Sequence, residues 1–228
     1  MRSAFVVGCG HSGTSIMLRL LGAHPDVYAV PGETNLFLNG NEEIWAKALA
    51  GFDAEAAAQG KTIWIEKTPR HVLRMAKILK LRPDAQFIGM VRLPLDAACS
   101  YRGRGMVTFE VGLQRWLKYN KALLPHKDKP YMHFIHLEAL IANPQTICAE
   151  ALSFLDLSPC DLTAYHKEPV VWYVGSEQGV RRNAQINEPL FSNTDRTHEL
   201  TPADRTIIAR YQPQLYRMQK LLARKASK

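Results

Sequence analysis

Gly8-Cys9-Gly10-His11-Ser12-Gly13-Thr14-Ser15 is the stretch that decides the fold. Ala4-Phe5-Val6-Val7 before it reads as a short buried strand, and Ser15 to Leu21 after it has helical spacing. Glycines let the backbone curl without Cβ clashes, so successive N–H groups converge on an anion at the helix N-terminus. Thr14 and Ser15 add hydroxyl donors. The spacing from Gly8 to Gly13 also fits G-x-x-x-x-G-K-[ST], but Thr14 stands in the place of the lysine. That lysine neutralises β- and γ-phosphates, so its absence counts against ATP or GTP hydrolysis. A tight strand-to-helix turn with no ligand is the plain alternative.

Working outward, strands are expected at Asp26 to Val30, Thr62 to Glu66, Gln86 to Val91 and Tyr131 to His136. Helices are expected between them. Asn41 to Gln59 carries Ile44, Trp45, Ala48, Leu49 and Phe52 on one face, and Val72 to Leu81 is amphipathic and ends before Pro83. Leu95 to Tyr101, Val111 to Leu124 and a stretch reaching Leu155 complete the set. Alternation of this kind predicts an α/β fold of three layers, with a central, mostly parallel sheet flanked by helices. Thr201-Pro202-Ala203-Asp204 reads as an N-cap followed by proline at the first helical position, opening a helix that Pro213 is expected to kink. Pro169 to Asn193 is the least regular long stretch, of the kind that forms a lid or a loop.

The 228 residues fit one domain, with 46% hydrophobic and 22% charged residues. No apolar run approaches the roughly 20 residues that cross a bilayer. The N-terminus lacks the apolar core of a secretory signal, so a cytoplasmic protein is expected. A formal charge of +8 suits an anionic ligand, a polyanionic acceptor or nucleic acid. No helix carries a basic stripe interleaved with aromatics, so nucleic acid is not the expected partner. The basic tail Arg224 to Lys228 reads as a solvated terminus. Cys9, Cys99, Cys148 and Cys160 lack CxxC spacing and are expected to be reduced and buried. No metal-ligand cluster is evident.

Several motifs beyond the glycine loop carry a resemblance. Ser12-Gly13-Thr14-Ser15 is like the S-G-T-[ST] signature of sulfotransferases that use 3′-phosphoadenosine 5′-phosphosulfate (PAPS). His24-Pro25-Asp26-Val27 and Gly32-Glu33-Thr34 resemble the protein-tyrosine sulfotransferase branch and its bacterial relatives. Glu66-Lys67-Thr68-Pro69-Arg70 is similar to the EKTPR segment of the superfamily. Val91-Arg92-Leu93-Pro94-Leu95-Asp96, followed by Ser100, resembles its 3′-phosphate motif. His136 to Leu140, Asn143-Pro144 and Phe154-Leu155 extend the match, which spans residues 5 to 157. One departure stands out: His11 occupies a position where relatives usually carry Arg or Lys.

The resemblance implies a single sulfotransferase domain over residues 1–228 that moves sulfonate from PAPS to a hydroxyl acceptor, leaving 3′-phosphoadenosine 5′-phosphate (PAP), with no metal required. Gly10, His11, Ser12, Gly13, Thr14 and Ser15 would cradle the 5′ end, and Arg92 with Ser100 would hold the 3′-phosphate. Glu33 would be the general base, at the acceptor. Lys67, assisted by His11, would stabilise the transferring sulfonate or the leaving phosphate. Arg70 would touch cofactor or acceptor, or pair with Glu66. Arg181 and Arg182 fall where related enzymes close a basic loop over the nucleotide. Trp172 and Tyr173 would line an acceptor site or stack on adenine, but beside Val170 and Val171 they read first as core, and Glu138 reads as a structural hydrogen-bonding residue. Activity is expected to rise as pH falls towards the pKa of His11. The acceptor is open: a sugar or small molecule is preferred and a tyrosyl peptide is possible, and the oligomeric state is equally open. A P-loop nucleotide kinase or hydrolase, and a non-catalytic nucleotide-binding module, remain as alternatives.

Overall fold

The computed structural model describes residues 1–175, 177–191 and 194–223. The chain runs β1 (Arg2–Gly8), α1 (Thr14–Leu21), β2 (Val27–Ala29), α2 (Glu42–Ala58), β3 (Ile63–Lys67), α3 (Met75–Leu81), β4 (Gln86–Val91), α4 (Pro94–Gly103) and α5 (Phe109–Leu123). It continues with β5 (Met132–His136), α6 (Leu137–Ala142), α7 (Pro144–Phe154), α8 (Glu177–Asn187) and α9 (Pro202–Leu222). The strands form a five-stranded sheet in the order β2-β3-β1-β4-β5. Every pairing is parallel, with Ala4 of β1 opposite Ile65 on one side and Gln86 on the other. Consequently Gly8, Lys67 and Val91 all end at one edge, where ligands of open α/β sheets collect.

Alternation along β1 explains the three layers. Phe5 and Val7 face one side with Trp45, Trp64, Phe87 and Trp116, and Ala4 and Val6 face the other with Met17, Leu18, Ile65 and Ile88. The aromatic side is tightly keyed, with Phe5 edge-on to Trp64 at 5.3 Å and stacked on Phe87 at 5.5 Å. α9 opens with a reciprocal cap in which Thr201 Oγ1 accepts from the Asp204 N–H and Asp204 accepts from Thr201. The helix runs on through Pro213 to Leu222. Among the described residues no helix is long and apolar enough to cross a membrane.

The structure differs from the expected elements at several points. The expected helix at 72–81 divides: residues Pro69–Arg74 wind as a tighter 3-10 turn, and the α-helix begins at Met75. The stretch reaching Leu155 breaks at Asn143, because a residue before proline is driven out of the α region. Ile44 is 54% exposed, so α2 buries a narrower stripe built on Trp45 and Leu49. Cys160 is exposed, whereas Cys9, Cys99 and Cys148 are buried. Pro169 to Asn193 contains α8, while residues 176 and 192–193 of that stretch and the tail 224–228 lie outside the described residues.

Candidate active site

The glycine loop leaves β1 at Gly8, whose φ of +145° and position only glycine tolerates, since a Cβ there would sit 2.4 Å from the Met90 carbonyl oxygen. Gly13 caps α1 in the left-handed region, with φ of 83°, and no side chain occupies the cap. The first turn of α1 carries no acidic residue, so its N–H groups face the loop as an open anion site. Cys9 in the same loop is inert as a nucleophile, because burial pushes its thiol up to about 12.

His11 is also left-handed, with φ of 66°. Its Nδ1 is 3.0 Å from Ser100 Oγ, its Nε2 is 3.3 Å from Met106 Sδ, and its ring lies 4.0 Å from that of Tyr101. Its carbonyl accepts from Arg92 Nη1 at 2.9 Å. Arg92 and Ser100 are therefore fastened directly to the loop. Burial, together with Arg104, Arg182, Arg92 and Arg115, pushes the imidazole down to about 3. With its pKa this low, the expected rise of activity as pH falls towards the pKa of His11 would lie far below neutral pH.

Lys67 ends β3 with its side chain fully buried. Its Nζ donates to Glu33 Oε1 at 2.7 Å and to the Tyr173 hydroxyl at 3.0 Å. Arg182, on α8, donates to the same Glu33 oxygen at 3.3 Å and lies over the Tyr173 ring at 5.2 Å. The Tyr173 hydroxyl is also 3.2 Å from Ser15 Oγ. Tyr173 was expected in the core, yet it is the point where loop, lysine and α8 meet. Arg70 bonds Asn35 Oδ1 at 3.2 Å and not Glu66, which is buried behind the strand end. Glu138 accepts from the Leu93 N–H at 2.8 Å, the structural bond expected of it.

The loop and its neighbours border a cavity of about 430 Å³. Gly10, His11, Gly13, Thr14 and Ser15 contribute, as do Glu33, Arg70, Arg92, Ser100 and Arg182. Lys67 reaches the site through Glu33, Ser12 is buried within the loop, and Arg181 is exposed and does not line the cavity. Arg104, Arg115 and Tyr119 line it without having been expected to. Arg104 stands four residues after Ser100, a spacing that puts both on one helical face, so it was within reach of the sequence. An apolar wall of Ile16, Leu137, Ile141, Ile186, Leu190 and Phe191 completes the lining. Burial, with Arg182 and Arg196 nearby, lowers the affinity of Arg104 for its proton, and Tyr173 and Glu33 oppose that shift. Among the described residues no group of His, Cys, Asp or Glu gathers as metal ligands.

The sulfotransferase family model matches residues 37–161, more than half of the chain, and the protein belongs to that family. The match begins after the glycine loop, so it is independent of the loop's own geometry. The fold is that of the sulfotransferase domain of the Synechococcus PCC 7002 olefin synthase, with a TM-score of 0.66 at 15% identity, covering 100% of this chain and 96% of that one. A sulfotransferase from Alicyclobacillus acidocaldarius superposes with a TM-score of 0.64 at 16% identity, covering 99% and 97%. A mouse sulfotransferase solved with PAP gives 0.59 at 15% identity, covering 99% and 86%. An uncharacterized protein of Aquifex aeolicus (strain VF5) is 24% identical over 195 residues, 68% of this chain. The chain spans about a quarter of the length of that curated relative, 26%.

Proposed function

We propose that residues 1–228 act as one O-sulfotransferase domain that moves sulfonate from PAPS to a hydroxyl acceptor, releasing PAP. The observation that carries this reading is the joining of two anion sites in one cavity: the uncapped N-terminus of α1, and Arg92 with Ser100 beside His11. PAPS has two separate anionic centres, the 5′-phosphosulfate and the 3′-phosphate, whereas ATP concentrates its charge on one chain. Arg92, directly after β4, supplies a charge-assisted fork for the 3′-phosphate, and Arg104, at the C-cap of α4, adds a second cation to the same cavity. The apolar wall of the cavity suits the adenine base.

In this mechanism the acceptor hydroxyl gives its proton to a Glu33 carboxylate oxygen as its own oxygen attacks sulfur in line. The bond from sulfur to the bridging oxygen breaks, and PAP leaves with the electron pair. Lys67 and Arg182 neutralise charge on the sulfonate and the bridging oxygen, which is electrostatic stabilisation of the kind worth most in a water-poor cleft. Both cations contact Glu33; a bound sulfonate would take them over and free the carboxylate to act as base. His11 contributes a hydrogen-bonding imidazole beside the loop, next to Ser100.

The mouse relative with PAP supports the nucleotide, and family membership supports the class of reaction. Small-molecule and sugar hydroxyls are the preferred acceptors, with tyrosyl peptides also to be tried. The test is transfer of labelled sulfonate from PAPS to a panel of phenols, sugars and tyrosyl peptides. Transfer that depends on Lys67 and Glu33 is the expected result. Magnesium-dependent ATP turnover with no sulfonate transfer would overturn the reading.

A further inference from the structure

Glu66 is adjacent to Lys67 on β3 but faces the opposite way, fully enclosed behind the strand end, where the sulfonate chemistry does not reach. Its Oε1 accepts from Thr34 Oγ1 at 2.8 Å and from Thr68 Oγ1 at 2.6 Å, and its Oε2 is 3.0 Å from His71 Nδ1. Each of these three partners takes a backbone N–H from the loop that carries Glu33. Leu36 donates to Thr34 Oγ1 at 3.2 Å, Asn35 to Thr68 Oγ1 at 3.1 Å, and Phe37 to His71 Nε2 at 3.2 Å. The Thr34 N–H points at Glu66 itself, at 3.4 Å. The amides of residues 34 to 37 therefore all terminate, directly or through one side chain, on a single carboxylate.

The direction of these chains is set by that carboxylate. An ionised carboxylate has only acceptors to offer, so both threonines must send their protons to it, and His71 must present Nδ1–H. Their remaining lone pairs then face the loop, where only acceptors are useful. Hydrogen bonds from His71, Thr68 and Thr34 outweigh the burial that would raise its pKa, and hold Glu66 below the usual carboxylate range. The loop needs such anchoring, since Asn35 is in the left-handed region, with φ of 53°.

We propose that Glu66 is a positioning residue that fixes the Glu33 loop relative to Lys67, so that base and cation are set by neighbouring positions of one strand end. The proposal rests on Glu33 being the base. Glu66→Gln keeps the shape but puts an NH2 among donors, turning at least one chain against a loop amide. Thr34→Val and Thr68→Val each cut one chain, and Thr34→Ser should restore what Thr34→Val removes.

The experiment combines hydrogen exchange of the 34–37 amides, PAP affinity by calorimetry, and turnover with the best acceptor of the panel above. In E66Q and T34V the loop amides should exchange faster while those of β1 and β4 stay protected, and PAP affinity should remain within about two-fold. Turnover should fall on the order of 10²-fold in E66Q, the size of loss a displacement of about 1 Å produces in a reacting pair. In an E33Q background, E66Q should add little. Unchanged exchange at residues 34 to 37 in both E66Q and T34V overturns the proposal. So does an E66Q loss that multiplies fully with that of E33Q. Full activity of E33Q would instead remove the base reading, a separate failure.

Discussion

The Lys67 ammonium stands 2.7 Å from the Glu33 carboxylate, linking the end of β3 to a loop thirty-four residues earlier in the chain. Lys67 is joined to the glycine loop through Tyr173, whose hydroxyl reaches both Lys67 and Ser15. The arrangement puts a base, a cation and an anion cradle around one small volume. Two cations, Lys67 and Arg182, converge on the one Glu33 oxygen, so the cluster keeps an excess of positive charge.

Removal of either partner should therefore affect chemistry more than binding. Lys67→Ala and Glu33→Gln should each lower turnover about 10²- to 10⁴-fold, the range typical for positioned acid–base and electrostatic groups. Steady-state kinetics beside PAP calorimetry separate the two quantities. The expected outcome is a PAP Kd changed far less than kcat.

Arg92 should show the reverse pattern. Truncating a charged hydrogen-bond donor to a phosphate costs roughly 1.5–3 kcal/mol, so Arg92→Ala should weaken PAP binding by about 10- to 100-fold. Adenosine 5′-phosphosulfate, which lacks the 3′-phosphate, should bind wild type and variant almost equally. Competition against labelled PAP reads both.

His11 gives a stability signature with a defined sign. Its folded-state pKa, about 3, lies below the ordinary imidazole value of 6.5, so between these values the unfolded chain binds more protons. The stability contributed by neutral His11 is complete above about 6.5 and is lost as pH falls towards 3. His11→Gln should flatten this part of a plot of melting temperature against pH. An equally steep decline in wild type and variant would contradict the assignment.

Gly8 offers a test of the loop's architecture. A Cβ would meet the Met90 carbonyl oxygen at 2.4 Å, and the backbone there has φ of +145°. Gly8→Ala should destabilise the protein by more than about 2 kcal/mol in urea unfolding, beyond the usual surface substitution. The same change at Gly51, where nothing lies within 4 Å, should be harmless or mildly stabilising.

Most of this site was legible in the sequence because its residues sit at the junctions that sequence marks best. A strand followed by glycines and a helix placed the loop, and strand ends placed Lys67 and Arg92. α8 was not legible, and the reason is physical. It is held through polar side chains: Asn183 bonds the backbone of Trp172 and Tyr173, and Asn187 bonds both backbone groups of Val170. Such bonds leave no apolar period to read, so Tyr173 was taken for core and the helix for a loop. Arg115 comes from α5, and only tertiary folding brings it to Tyr101, where it lies 5.4 Å from the ring. The downward shift of His11 depends first on its burial and then on arginines just past α4, on α5 and α8, and at the end of β4.

The central claim is that one cavity holds both phosphates of a 3′-phosphorylated nucleotide. Isothermal calorimetry of PAP, adenosine 5′-phosphosulfate and ATP against the same protein addresses it most directly. PAP should bind at least about ten-fold tighter than either of the others, the order expected from one additional charged contact. Equal affinity for PAP and adenosine 5′-phosphosulfate, or tighter binding of ATP, would contradict it.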